Sequence, residues 1–232
     1  MAEPPDITST FVREVDENLR RDQLQEAAKK YYGWIIAGVV LFIAAAGGLL
    51  YWQDYQRRQN EAAVEKLAQV FTDMTKGQMQ TAPARLDTLS KSSGKAVRGA
   101  AELGRAGLAI AQNDPKLAIA KYRAMAGDKS LPKPFRDLAL VRQTALEFDS
   151  LKPDEVIARM EPLTKPGAPW YGSAGEMTAM ALIKQNKRAD AGKLFAAIAR
   201  DPQVPDTLRG RAVQMAASLG VDVSSIAPQP AQ

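Results

Sequence analysis

The rhythm of apolar and polar positions changes sharply at residue 34 and again after residue 52. Between them runs W-I-I-A-G-V-V-L-F-I-A-A-A-G-G-L-L-Y-W, nineteen residues without a charge and with a Trp at each end. At ~1.5 Å rise per residue such a helix is ~28 Å long, close to the ~30 Å hydrocarbon core of a bilayer. A helix satisfies its own backbone polar groups, so the segment can sit in lipid unaided. Tyr31, Tyr32 and Trp34 on one side and Tyr51, Trp52 and Tyr55 on the other form the expected interfacial belts. A mostly polar stretch occupies positions 1–30, and no A-x-A motif closes the apolar run. The pattern therefore predicts a retained anchor in a lipid bilayer rather than a cleaved leader.

Before the span, 1–10 reads as unstructured. From Ser9 or Thr10 a helix is expected, with Phe11, Val12, Val15 and Leu19 as a narrow apolar stripe among charges. After the span, 53–79 continues as an amphipathic helix carrying Val64, Leu67, Ala68, Phe71 and Met74. Pro83 and Ser92-Ser93-Gly94 punctuate the next stretch, with a short helix around 85–91.

Beyond that point the chain repeats itself. Residues 106–139 laid over 179–212, an offset of 73, give eleven identities in thirty-four positions. They include Gln112-Asn113 with Gln185-Asn186, Asp128 with Asp201, Pro132 with Pro205 and Arg136 with Arg209. A middle copy shows in the small residues Ala118, Val156 and Ala191, each followed four residues later by Tyr122, Met160 or Phe195. Such periods indicate stacked supersecondary units. The units read as helix pairs, 97–112 with 115–126, 134–150 with 153–163, and 169–185 with 188–200. A capping helix is expected over 205–219 and a free tail after it.

Asn113-Asp114-Pro115-Lys116-Leu117-Ala118 with Tyr122 resembles the turn and second helix of a tetratricopeptide repeat, G-D-x-x-x-A-x-x-x-[FY]. Leu103-Gly104 resembles the L-G of that repeat's first helix. The expected fold is thus all-α, with a single N-terminal transmembrane helix followed by a tetratricopeptide-like helix-pair solenoid. Its parts are a tail with a short amphipathic helix (1–33), a transmembrane helix (34–52), a repeat domain (53–220) and a disordered C-terminal tail (221–232).

Charge and composition narrow the function. With no Cys and no His, disulfides, thiolate chemistry and the commonest general base and metal ligand are all missing. The net charge of +5 carries no block of like charge or interleaved aromatics, so nucleic acid is not an expected partner. Ser92-Ser93-Gly94-Lys95 fits S-x-x-K, but neither S-D-N nor K-T-G accompanies it. Asp154-Glu155 stand at an expected helix start, where they cap. No enzyme, cofactor or small-molecule substrate is expected.

Binding remains. First helices of such pairs line a concave face where peptides dock, and the candidates there are Arg98, Arg105, Arg136, Arg142, Trp170, Tyr171, Met177 and Met180. Trp170-Tyr171 is the candidate aromatic anchor, set against a role for Trp170 and the methionines as core filling. In the span, Ala44 and Gly48 belong to a small-residue patch that would let another helix approach closely. Arg20, Arg21, Lys29 and Lys30 outnumber Arg57, Arg58 and Lys66, which predicts a cytoplasmic tail and an exported domain.

The layout as a whole resembles the YfgM family: the tail F-V-R-E-V-D-E-N-L-R-R-D, one span ending L-L-Y-W, a long helix and about three degenerate repeats. That resemblance implies a bacterial inner-membrane protein with a periplasmic repeat domain. It further implies association with Sec translocon subunits and with a membrane-anchored, parvulin-type periplasmic chaperone. The alternative use of the same repeats is a cell-envelope or cell-division scaffold.

Overall fold

The computed structural model describes residues 7–224, apart from the side chains of 7–31 and of residue 35. Every regular element among them is helical: α1 (Ile7–Thr75), α2 (Ala82–Leu89), α3 (Lys95–Ala111), α4 (Pro115–Gly127) and α5 (Lys133–Glu147) come first. Then follow α6 (Pro153–Met160), a 3-10 turn (Glu161–Leu163), α7 (Tyr171–Lys184), α8 (Arg188–Arg200) and α9 (Asp206–Ser218). The chain divides into two compact units, Met1–Gln59 and Asn60–Gln232.

The first unit carries the apolar stretch. One helix among the described residues is long and apolar enough to cross a membrane, and its most apolar stretch is wholly unburied. Leu41, Phe42 and Tyr51 are each more than two-thirds exposed, which no core helix would allow. Helix α1 already includes 7–10, a segment expected to be unstructured. Residues 1–6 and 225–232, and the stripe Phe11, Val12, Val15 and Leu19, lie outside the described residues and side chains.

In the second unit the sequence repeat and the packing coincide. Ala118, Val156 and Ala191 are buried, and so are Tyr122, Met160 and Phe195 four residues on from each. The small residue brings one helix close to its neighbour and the large one fills the space beyond it. The core is accordingly four clusters in series rather than one. Leu67, Val70, Leu86 and Val97 close the layer of α1, α2 and α3. Ala106, Tyr122, Met125 and Ala139 close that of α3, α4 and α5. Val141, Val156, Met160 and Ala174 join α5, α6 and α7, and Tyr171, Phe195, Ile198 and Ala212 join α7, α8 and α9. Gly99 permits the close stacking of α3 on α5, since a Cβ there would lie 2.7 Å from the Phe135 ring.

Several boundaries differ from expectation for local reasons. Pro83 does not interrupt a helix but sits in the first turn of α2, where its missing N–H costs nothing. Helix α6 stops at Met160 because Pro162 cannot continue it, and a 3-10 turn takes the chain to Leu163. The buried face of α1 is Ala63, Leu67, Val70 and Met74. Val64, expected on that face, is 55% exposed, and Phe71 is turned aside towards Gly104. At the other end Val221 and Val223 pack on the last cluster, so the chain stays docked past α9.

The repeated polar residues build repeated turns. Asn113 and Asn186 are left-handed, with φ of 59° and 62°. After α3, Asp114 N–H donates to the Ala109 carbonyl at 2.8 Å and Asn113 N–H to that of Ile110 at 2.9 Å. After α7, Lys187 N–H donates to Leu182 at 2.9 Å and Asn186 N–H to Ile183 at 2.9 Å. Both are Schellman closures, with Asn in the place glycine usually takes. Asn113→Val or Asn186→Val is expected to cost about 1–2 kcal/mol, and Asn→Gly at either site to be near neutral, as read by urea unfolding. Equal effects of Val and Gly would contradict this account.

Candidate protein-binding groove

Helices α5 and α7 are the first helices of successive pairs and α9 follows them as the last helix, and their free faces line a groove of about 490 Å³. The reason is sequence periodicity: each helix buries one stripe on its cluster and leaves another unpartnered. Ala145 and Phe148 of α5 and its C-cap line one wall, Met177 and Met180 of α7 the middle, and Gln214 and Met215 of α9 the other wall. Phe195 closes the floor from α8. Met180 stays 37% exposed, and Leu146, on α5 next to the lining Ala145, 39%.

Charges stand at the edge of this groove in matched pairs. Arg211 donates from Nε and Nη2 to the two carboxylate oxygens of Glu176, at 3.1 and 2.9 Å. That fork holds the Arg211 guanidinium above its ordinary pKa, through the Glu176 hydrogen bond and then its charge. Lys184 Nζ lies 3.0 Å from the Asp149 carboxylate and 4.3 Å from the centre of the Phe148 ring. The edge is thus polar, with each of these charges facing an opposite one.

A second cleft, of about 520 Å³, opens between α3 and α4. Arg105 lines it, held by Asp87 and Glu102 at 2.9 Å each. Arg98 donates to the Ser130 hydroxyl at 2.7 Å across the same cleft. Arg98, Arg136 and Arg209 occupy one equivalent place, four residues past the N-caps Gly94, Pro132 and Pro205. Near Arg98 and Arg136, the Asp128 carboxyl lies below its ordinary pKa, chiefly through hydrogen bonds from the Ser130 side chain and backbone. The matching Asp201 accepts from Gln203 N–H at 2.8 Å, as Asp128 does from Ser130 N–H at 2.8 Å. These arginines thus stand beside the loops that join one helix pair to the next.

The other expected site residues are scattered. Arg142 is exposed on α5 near Tyr122. Trp170 is half-buried and packs against the cluster of α5, α6 and α7. Tyr171 is a correction: at 3% exposure it belongs to the core of α7, α8 and α9 and presents no anchor to a partner. Trp170 is the N-cap of α7 and packs on the preceding cluster, whereas Tyr171 opens the helix and packs into the next, so the two aromatics do not share a surface. Ala44 and Gly48 are exposed in the apolar stretch of the first unit, and a Cβ at Gly48 would meet nothing. Met177 and Met180 alone of the expected lining residues enter the groove. Phe148, Glu176, Arg211, Gln214 and Met215 were not legible as site residues, since three separate helices bring them together.

The motif residues have local duties. Ser92 Oγ accepts from Gly94 N–H at 3.3 Å in the turn before α3. Asp154 and Glu155 stand in the first turn of α6. Asp114 caps α4 by accepting from Leu117 N–H at 3.0 Å. No His, Cys, Asp or Glu cluster able to hold a metal ion occurs among the described residues.

A family model described as a tetratricopeptide repeat-like domain matches residues 28–215. Neither curated proteins nor solved structures give a match to the chain.

Proposed function

The chain belongs to the tetratricopeptide repeat-like domain family, and from that premise we propose a non-enzymatic adaptor, anchored in a membrane, that binds proteins during export. Domains of this kind are protein-interaction modules, typically without catalysis. The observation that carries the reading is the apolar groove across α5, α7 and α9, formed by helix faces that no other described part of the domain covers.

The finer assignment draws on the resemblance to the YfgM family. Residues 34–52 anchor the protein in a bacterial inner membrane, 1–33 face the cytoplasm and 53–232 the periplasm. The partners are Sec translocon subunits and a membrane-anchored parvulin-type chaperone. Confinement to the membrane plane raises the effective concentration of each partner, so weak contacts suffice. Ala44 and Gly48 are the proposed contact within the bilayer, and Arg105, Arg136, Arg142 and Trp170 flank the contacts of the repeat domain.

A mild-detergent pull-down with mass spectrometry tests this, comparing the native chain with one whose residues 34–52 are replaced by an unrelated span. Channel subunits and a chaperone are expected with the native span, and the channel subunits are expected to be lost with the replacement. Recovery of septal or peptidoglycan-synthesis proteins, with no export component, would overturn the reading.

A further inference from the structure

The groove of α5, α7 and α9 says more about its occupant than that it is a protein. Its apolar lining includes Met177, Met180 and Met215 with the Phe148 ring. Methionine side chains are unbranched and polarizable, so they repack around apolar groups of different shape. Surfaces built that way accept many sequences rather than one. The edge charges add a second constraint. Arg211 is taken up by both oxygens of Glu176, and Lys184 by Asp149. A charged ligand would compete with these pairs, which stand at the exposed edge and already give each cation a carboxylate.

Deepening the adaptor reading and resting on it, we propose that this groove takes a charge-free apolar stretch of a non-native polypeptide, of the kind a folded protein buries. An extended strand of about six residues is roughly 20 Å long, on the scale of a groove lined by three helices. The volume of about 490 Å³ admits the apolar side chains of one face of such a strand. Acidic carboxyl-terminal tails are disfavoured, because Arg211 and Lys184 each already face a carboxylate.

The test uses the full chain in lipid nanodiscs and fluorescent seven-residue peptides read by anisotropy, with empty nanodiscs subtracted. One peptide is Leu/Val/Phe-rich and uncharged, and two others carry paired Glu or paired Lys. The uncharged peptide is expected to bind at least about tenfold tighter than either charged one. Met180→Glu, at a half-open position, is expected to abolish binding, and Met180→Leu to keep it. Gln214→Glu puts a charge on the wall from an exposed position outside the core, and is expected to weaken the uncharged peptide by about tenfold. Arg211→Gln frees Glu176 and is expected to bring in the Lys peptide. Equal binding of all three peptides, or no change on both Met180→Glu and Gln214→Glu, would overturn the proposal. If export partners are still captured while the peptide ignores these variants, the adaptor reading stands on another surface. If the peptide binds the groove and no export partner is captured, the groove inference stands and the export assignment fails.

Discussion

Phe195→Ala is expected to remove about 3–5 kcal/mol of folding stability, the largest effect of any single truncation considered for this chain. The ring is 1% exposed and lies among Tyr171, Ala179, Ala191, Ile198 and Ala212. Six of the nine other buried residues of its cluster are alanines, which have no side-chain length with which to fill the void, and the methionines on its other side line the open groove. The cost is therefore expected towards the upper end of the range. Because the core is four clusters in series, the damage should stay in the last one. Hydrogen exchange should show α8 and α9 losing protection while the amides of α2 and α3 keep theirs. Chemical unfolding followed by circular dichroism measures the total, and a loss below about 1 kcal/mol would mean that the ring is not a wedge. Met160→Ala, at the equivalent place in the middle pair, is expected to follow at about 2–5 kcal/mol.

Glu147→Ala should come next, at about 3 kcal/mol, for electrostatic reasons rather than lost volume. The carboxylate is only 12% exposed and accepts from Arg123 of α4 at 2.7 Å, from Gln143 of α5 at 2.9 Å and from Arg159 of α6. Helices α5 and α6 approach each other sparsely, so this group adds to the buried contacts of Val141, Val156 and Met160 in holding α6 to its partner α5. Burial raises the Glu147 pKa, but the hydrogen bonds from Arg159 and Gln143, the Arg159 charge and the Arg123 hydrogen bond outweigh it. The net position is below the ordinary 4.5. With the folded pKa depressed, the unfolded chain takes up the proton first as pH falls. The stabilisation is thus complete above the unfolded pKa and is lost as pH drops through the folded one. Glu147→Gln should flatten the acid limb of a stability-against-pH curve without changing the neutral plateau by as much as Glu147→Ala. An unchanged acid limb would remove Glu147 from the account.

The helix pairs were legible because their determinants are local and periodic. A small residue and a large one four positions on can be found by eye at 118/122, 156/160 and 191/195, and all six are buried. The identities at 113/186, 128/201 and 132/205 were visible as letters. Their meaning, a left-handed Asn and a loop carboxylate, needed the backbone. Faces were harder. Leu67 and Met74 belong to the buried stripe, but Val64 and Phe71 are about 100° off per residue step from the right choice, Ala63 and Val70. The groove was the least legible feature. Met177 and Met180 could be suspected, whereas Phe148 and Met215 become their neighbours only after α5 and α9 stack beside α7. Arginine misled for a related reason: Arg136 looked free in sequence, and the structure sets it beside an inter-pair loop with a buried Nε.

The matched Schellman turns at Asn113 and Asn186 bear on how such a chain changes over generations. Both turns leave a first helix with the same backbone geometry and, after one residue beyond the Asn, lead into a second helix. A recombination event joining the chain at these two points would connect α3 to α8 through a turn of the same shape. The array can thus gain or shed helix pairs at an existing joint, and the length of its inner surface becomes heritable variation that requires no new loop.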